Sequence, residues 1–591
     1  MRFTDPQRQA IGHDGNLLIV AGPGSGKTST TVAKAQRILE DAQRSLVMVT
    51  FSKEGAEEMR RRLSRSHQES GQAAVPGHRL LIGTFHSIAI KHLFDHKPRE
   101  KVLSPGQQEL LLQDALRPFS GDRTLAQELR KDFESFQYAI DRDSYELKKQ
   151  TAVVVARYAE RLRASRATDL FTIMRDCALA AQQGSIPLLR CTDMVVDEGQ
   201  DTDELQKAWI FAHCRAGVRV TIVGDDDQSI YEWRQALGYS VMQSFLDTFQ
   251  SRRVELGDNF RSRKEILDRA SVLINHNTKR LGKDLVAVRG TGGFIGAYHT
   301  ASPSGQCDEL AELISQTPDI HTNVAVLARK NRSLDELEMS LTAKDVAYVR
   351  VGQSIWKNSA VVGYLGLLQA LIDASPAGIF GCLDTLDLND QFKSLLMVAL
   401  SGHAHEFLEN RFPELPEGDG EDRKRVADFT KASAYWRSQL RSAEGSSVDE
   451  VVLDVGSWLS SKHRSRRDQD LILRAAAIMC RLSGTLADRL NFIAHSRNKS
   501  AGTSAVTLMT MHGSKGMEFE TVHVIDANHP DDGSSLVNDE AERRLLYVAI
   551  TRAKDRCVLW YNAAPHTALK ESGVLVFHEF DALANALTGT A

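Results

Sequence analysis

Three short stretches carry the groups that could do chemistry. Ala21-Gly22-Pro23-Gly24-Ser25-Gly26-Lys27-Thr28 is a glycine-rich turn ending in a lysine and a hydroxyl. Asp197-Glu198 is a pair of carboxylates closing an apolar run. Asp225-Asp226-Asp227-Gln228-Ser229-Ile230-Tyr231-Glu232-Trp233-Arg234 joins acids, an amide and aromatics. Glycines let consecutive backbone N–H groups close around phosphate oxygens, and a helix N-terminus behind them adds partial positive charge. Lys27 would then reach the β and γ phosphates and Thr28 would hold Mg²⁺. Asp197 suits the same ion, and Glu198 suits a general base toward attacking water. Gln228 suits sensing of a γ-phosphate. Tyr231 and Trp233 suit stacking on bases, a contact that tolerates any sequence. Read singly, each stretch has a plainer account: a tight turn with a surface lysine, a surface acid pair, aromatics packed in a core.

The elements around these groups favour the chemical account. Leu17 to Val20 reads as a buried strand feeding the glycine turn, and a helical segment follows Thr28, the order in which a phosphate-binding loop makes physical sense. Further strands are expected at 45–51, 79–86, 193–198 and 218–224. In an open parallel sheet, ligands sit at the carboxyl ends of the strands, which places Thr84, Phe85 and His86 where something can be touched; taken alone they read as a packed strand end. Adjacent side chains on a strand point to opposite faces, which would separate the roles of Asp197 and Glu198. Gln7, upstream of the first strand, has an amide able to donate to and accept from an adenine edge, though in isolation it reads as a solvated glutamine on a short helix.

The intervening segments are helical. Residues 87–167 are charged with helical periodicity, and from about 255 a second α/β region begins, with strands at 324–329, 506–510, 521–525 and 557–560. Residues from about 376 to 500 are again helical, with a linker at Pro413–Gly420, a basic cluster at Lys462–Arg467 that reads as a solvated face, and a returning loop at Ser496–Gly502. The expected fold class is therefore α/β, with two parallel-sheet cores each interrupted by a helical insertion.

Composition sets bounds. The 591 residues carry a net charge of −4, so a nucleic-acid surface must be a local groove and not a global basic field. The seven cysteines never form a C-x-x-C pair, which argues against a zinc ribbon or iron–sulfur cluster and for buried thiols of a reducing cytosol. No apolar signal core and no membrane-length apolar run is visible, so a cytoplasmic protein is expected.

With these stretches in order, the chain resembles the UvrD/Rep family of superfamily 1 DNA helicases nearly end to end. Gln7 fits its adenine-reading glutamine, and Ala21 to Thr28 its motif I. Gly83-Thr84-Phe85-His86-Ser87 fits motif Ib, Asp197-Glu198-Gly199-Gln200-Asp201-Thr202 motif II, and Val223 to Arg234 motif III. Asn259-Phe260-Arg261-Ser262 fits motif IV, Thr510 to Phe519 motif V, and Glu542 to Ala553 motif VI. The resemblance implies two RecA-like cores of the P-loop NTPase kind, at 1–86 with 168–254 and at 255–375 with 504–591. It places helical insertions at 87–167 and, shortened, at 376–503. It implies ATP with Mg²⁺, and a 3′→5′ helicase acting on single-stranded and duplex-junction DNA. The second insertion would be the surface for a protein partner. By the same resemblance Phe260 stacks on adenine, Glu518 contacts ribose, and Arg261 and Arg552 act as arginine fingers. Thr84, Phe85, His86, Tyr231, Trp233, Arg234 and His512 line the strand channel. Lys53 and Glu54 depart from motif Ia, Gly199 replaces an aromatic in motif II, and Glu232 replaces a glycine in motif III. A competing reading, from the shortened insertion, is a DNA-gated ATPase subunit that activates a partner effector and unwinds little itself.

Overall fold

The computed structural model describes residues 3–69, 75–317, 323–352, 354–400, 402–412, 415–441, 446–463, 465–498, 505–528 and 539–588. Residues 413–414 of the expected linker, Arg464 of the basic cluster and 499–502 of the returning loop lie outside them. Contacts divide the chain into two units, Met1–Gly293 with Gly533–Thr551, and Phe294–Asp532 with Arg552–Ala591. Residues 255–293 thus group with the first unit.

The first unit is built on a sheet of six parallel strands: β1 (Leu17–Ala21), β2 (Leu46–Thr50), β3 (Leu80–Thr84), β4 (Asp193–Val196), β5 (Arg219–Gly224) and β6 (Arg252–Leu256). Their order is β3-β2-β4-β5-β1-β6. Helices cover both faces, so the strands are near-continuous apolar runs. Alternate residues divide between two cores: Leu18, Val20, Val47 and Val49 enter one, and Leu17, Ile19, Leu46 and Met48 the other. β1, β5 and β4 are successive neighbours in a parallel sheet, so the phosphate-loop candidate and both acidic stretches leave it at one edge. The helices of this unit include α1 (Asp5–Gly12), α2 (Lys27–Glu40), α3 (Phe85–Phe94) and α4 (Glu204–Arg215).

Between β3 and β4 run helices with a small core of their own, including Leu112, Leu129, Phe133, Val154 and Tyr158. A two-residue parallel ladder, Lys101–Val102 against Ala167–Thr168, closes this segment. The Tyr158 hydroxyl donates to Asp169 at 2.9 Å, and Asp169 caps the next helix by accepting from the Thr172 N–H.

The second unit holds a seven-stranded parallel sheet: β7 (Phe294–His299), β8 (Val324–Ala328), β9 (Tyr348–Arg350), β10 (Val506–Thr510), β11 (Phe519–Ile525), β12 (Ala553–Tyr561) and β13 (Leu575–Phe577). Its order is β9-β10-β8-β11-β12-β7-β13. No strand occurs among the described residues between Arg350 and Val506. That stretch is helical, beginning with α5 (Ser359–Asp373) and α6 (Pro376–Leu383), which touch through Gly366 and Gly378: a Cβ on Gly378 would meet the Gly366 carbonyl oxygen at 2.0 Å. The two-core α/β architecture expected from the sequence is the one observed. All seven cysteines are free, five of them buried. Among the described residues no helix is long and apolar enough to cross a membrane.

A buried polar cluster braces the first core. His92 Nε2 donates to the Pro187 carbonyl at 2.8 Å, and its Nδ1 accepts from Trp209 Nε1 at 3.2 Å. His213, at the end of α4, donates from Nδ1 to the Trp209 carbonyl at 2.9 Å and accepts the Leu189 N–H on Nε2 at 3.2 Å. With one ring nitrogen donating and the other accepting, only the neutral ring fits. Burial accordingly pushes the His213 pKa down to about 4. The unfolded chain, with His near ~6.5, binds that proton more tightly. Stability from this site is therefore complete above the unfolded pKa and lost as pH falls from about 6.5 to about 4. The expected loss is about 3 kcal/mol. Denaturant titrations between pH 7 and 4.5 should show it, and His213→Gln, which keeps a donor and an acceptor but cannot charge, should flatten that part of the profile.

Candidate functional site

β1 is wholly buried and the chain turns at once into Gly22–Gly26. Gly24 and Gly26 have φ of 62° and 78°, left-handed values that a side chain disfavours. Gly26 is also the N-cap of α2, with no side chain occupying the helix end. Ser25 Oγ donates to the Gly22 carbonyl at 2.7 Å, closing the turn internally. The result is a run of backbone N–H groups ahead of a helix N-terminus, an anion cradle. Gln7 is buried beneath it: its Nε2 donates to the Ser25 carbonyl at 3.0 Å, and its Oε1 accepts the Thr4 N–H at 2.9 Å.

Residues 259–262 close the other side. Asn259 Nδ2 donates to the Pro23 carbonyl at 2.6 Å, and the Phe260 N–H to the Gly24 carbonyl at 2.9 Å. A Cβ on Gly24 would meet Arg261 Cβ at 2.6 Å, so the close approach requires glycine. The Phe260 ring is 44% exposed, and Arg261 Nη1 donates to the Thr551 carbonyl at 3.1 Å.

Lys27 reaches across to Glu198 at 3.2 Å. Burial opposes its charge, but the carboxylates of Glu198, Asp225 and Asp197 override it and raise its pKa above the ordinary lysine value. β4 ends at Val196, short of the acids, and Glu198 takes a left-handed conformation with φ 54°. The acid pair is therefore divided by a backbone turn, and not by strand alternation as the sequence suggested. Gln200, fully buried, donates from Nε2 to Glu198 at 2.5 Å and accepts the Asp225 N–H on Oε1 at 3.0 Å. Gln228 Nε2 donates to Asp225. A chain of contacts thus runs from Lys27 through Glu198, Gln200 and Asp225 to Gln228. Gly199 has its reason in packing, because a Cβ there would meet Ile222 Cγ2 at 2.3 Å.

Asp225, Asp226 and Asp227 bring carboxylate oxygens within 4.8 Å of one another, as a cation site would. The position between them is taken by Lys283, whose ammonium lies 2.8 Å from Asp225 and 3.3 Å from Asp226 and also pairs with Asp227. Arg280 adds a two-pronged contact to Asp227 at 2.9 and 2.7 Å. Burial works against the Lys283 charge, yet the three carboxylates hold its pKa well above the usual value. Neither cation was singled out from sequence; they lie 53 and 57 positions downstream of the acids they meet.

The same loop ends at the surface. Trp233 is 63% exposed, with the Arg234 guanidinium 4.5 Å from its ring centre. Tyr231 stacks on Phe51, centroids 5.3 Å apart and planes 14° from parallel. Phe51, directly after β2, was missed in the sequence, although its place at a strand end was the available signal. Thr84 caps α3 by accepting the Ser87 N–H at 3.3 Å, and His86 is half-buried, its pKa lowered by burial. Phe85 packs inside the core, edge-on to Trp209. Lys53 and Glu54 are exposed on the first turn of their helix.

In the second unit His512 opens a short turn after β10, Glu518 pairs with Lys554 at 2.7 Å, and Arg552 donates from Nη1 to the Met517 carbonyl at 3.3 Å.

Residues 3–250 match the family model of the UvrD/REP helicase N-terminal domain, and residues 254–368 and 459–564 that of the UvrD-like helicase C-terminal domain. DNA helicase II of Haemophilus influenzae is 28% identical, over 96% of this chain and 85% of its own length. DNA helicase II of Escherichia coli is 26% identical, over 95% and 84%. ATP-dependent DNA helicase PcrA of Staphylococcus epidermidis is 23% identical, over 92% and 80%.

The buried Lys283 gives a direct test of the charge arrangement. Lys283→Met should leave the three carboxylates short of a cation and destabilise the protein by about 3–5 kcal/mol, the usual effect of removing one partner from a buried pair. Denaturant unfolding measures this; an unchanged midpoint would show that the acids are neutralised by other means.

Proposed function

The chain belongs to the UvrD/REP helicase family, and on that footing we propose that it is an ATP-dependent DNA helicase moving 3′→5′ on single-stranded DNA and unwinding duplex by hydrolysis. The observation that carries this reading is the loop after β5. One end, Asp225 and Gln228, is hydrogen-bonded into the Lys27–Glu198 cluster, and the other, Trp233 with Arg234, is an exposed aromatic–cation platform.

In this reading the N–H groups of Gly22 to Thr28 and the Lys27 ammonium bind the triphosphate. Phosphoryl transfer needs positioning and charge stabilisation more than covalent chemistry. A phosphate entering the cradle competes for Lys27, releasing Glu198 from the 3.2 Å pairing while Gln200 keeps its carboxylate oriented. Glu198 then takes the proton of the attacking water. Thr28 and Asp197 supply a hydroxyl and a carboxylate, the hard oxygen donors that Mg²⁺ accepts. An Mg²⁺ held there would neutralise phosphate charge. Gln228, fixed by Asp225, senses the γ-phosphate. Phe260 covers the adenine and Glu518 meets the ribose; Arg261 and Arg552 act on transition-state charge. Phe51, Tyr231, Trp233 and Arg234 hold the strand by stacking, which any base satisfies.

The defining measurement is ATP hydrolysis with and without single-stranded DNA, beside unwinding of 3′- and 5′-tailed duplexes. Stimulation by DNA and unwinding confined to the 3′ tail are expected. Glu198→Gln should bind ATP but hydrolyse it about 10²–10⁴-fold more slowly; near-normal turnover would remove Glu198 from the base role.

Trp233→Ala tests the platform. It should weaken single-strand binding by roughly 1–3 kcal/mol, equally across base compositions. Because the ring is mostly exposed, the melting temperature should not move. A fall in melting temperature alongside every activity would make Trp233 a packing residue.

A further inference from the structure

Glu232 stands where the resembled family usually has glycine, and it occupies the first position of the short turn Glu232–Arg234 that carries Trp233. Its carboxylate pairs with Arg544, on the helix α7 (Asp539–Ile550). The Arg544 side chain is 8% exposed and that of Glu232 42%. Arg544 also donates from Nε to the Ser229 carbonyl at 3.0 Å. One nearly buried guanidinium therefore grips both ends of the 229–232 segment. A planar fork of donors suits this double contact, which a lysine could not make in the same way.

The two partners are each parts of stiff elements. The Arg234 N–H donates to the Tyr231 carbonyl and the Gln235 N–H to that of Glu232, both at 2.8 Å, and Gln235 closes the turn in a left-handed conformation. Glu232 and Trp233 must move together. At the start of α7, Glu540 accepts from the Thr278 N–H and hydroxyl at 2.9 and 2.8 Å, and farther along Tyr547 is wholly buried and feels the charges of Asp225 and Lys283. The helix then runs directly into Thr551, whose carbonyl accepts from Arg261, and into Arg552.

We propose that Glu232 is a positioning residue coupling occupation of the Trp233–Arg234 platform by a base to the placement of α7, and through it to Arg261 and Arg552. The inference rests on the reading of the protein as a DNA-stimulated ATPase. A base stacking on Trp233 shifts the turn, the carboxylate carries Arg544 with it, and the end of α7 follows, moving the Thr551 carbonyl that Arg261 holds and the Arg552 that comes next. Glu232 touches neither nucleotide nor strand in this scheme, so its effect belongs to stimulation alone.

The test uses the full chain, an oligothymidylate probe and ATP, with Glu232→Ala and Glu232→Gln beside the natural sequence. Four quantities are measured: probe affinity, basal hydrolysis, hydrolysis at saturating probe, and melting temperature. For Glu232→Ala, affinity and basal rate should stay unchanged and melting temperature should fall only slightly, because Arg544 keeps the Ser229 carbonyl, while the probe-saturated rate falls by roughly 5-fold or more, the range of a typical coupling between sites. Glu232→Gln, whose amide oxygen still accepts from Arg544, should recover part of the loss. A full probe-saturated rate in Glu232→Ala overturns the proposal. So does a proportional fall of basal rate, stimulated rate and melting temperature, which would make the bridge merely structural. Absence of stimulation in the natural sequence would defeat the functional reading itself, and would be seen before any variant is compared.

Discussion

Charge taken out of water must be matched nearby, and the first unit is arranged around that requirement. Lys283 has no exposed side-chain surface and lies among three carboxylates. Lys27, at the start of α2, is acted on by Asp225 and by two further carboxylates, Glu198 and Asp197. Asp225 belongs to both groups. A lone buried ion would cost several kcal/mol, so each lysine needs negative charge beside it. Carboxylates follow β4 and β5, and the glycine turn follows β1, so all of them meet where the parallel sheet gathers its carboxyl ends. The lysines make that concentration of acids tolerable.

This arrangement lets one loop serve two environments. Residues 225–228 are buried and hydrogen-bonded; five positions on, Trp233 is in solvent. The change occurs over residues 229–232, where Arg544 holds the Ser229 carbonyl and the Glu232 carboxylate. A loop anchored at both ends transmits displacement, whereas one anchored only at the catalytic end would absorb it. Glu232 is thus the residue that supplies the outer anchor.

How far the sequence could be read follows from the range of each interaction. The glycine turn after Val20, the acids after Val196 and the aromatics after Gln228 are local patterns, and they appear at one sheet edge as strand–loop–helix order requires. The partners that arrive from elsewhere were invisible. Lys283 and Arg280 look like ordinary charges on a surface segment until the fold brings them to the acids. Gly199 has a cause only once Ile222 is seen beside it. The left-handed Glu198 could not be anticipated, since no glycine or asparagine marks it. Phe85 and Phe51 both follow a strand directly, yet one ring turns into the core and the other toward Tyr231. That choice is made by neighbouring helices and not by local sequence.

The match to the family's C-terminal domain breaks between residues 368 and 459, and the second unit shows why a break there is tolerable. The helical stretch leaves after β9 and returns at β10, which are hydrogen-bonded neighbours with Tyr348 opposite Val506. A segment spanning two adjacent strands can change length without altering the register of any other strand, and loop-closure entropy grows only logarithmically with length. Its constraint lies in its own core. Phe392, Phe407, Phe429 and Trp436 from the unmatched stretch pack in one cluster with Tyr364, Ile472 and Ala476 from the matched flanks. Tyr364 donates to the Val452 carbonyl at 2.9 Å, and Trp436 to Asp454 at 2.7 Å. The crossing of α5 and α6 through Gly366 and Gly378 fixes their approach. These contacts tie the unmatched stretch to its matched flanks through one shared core, so what holds it in place is side-chain packing and not its length.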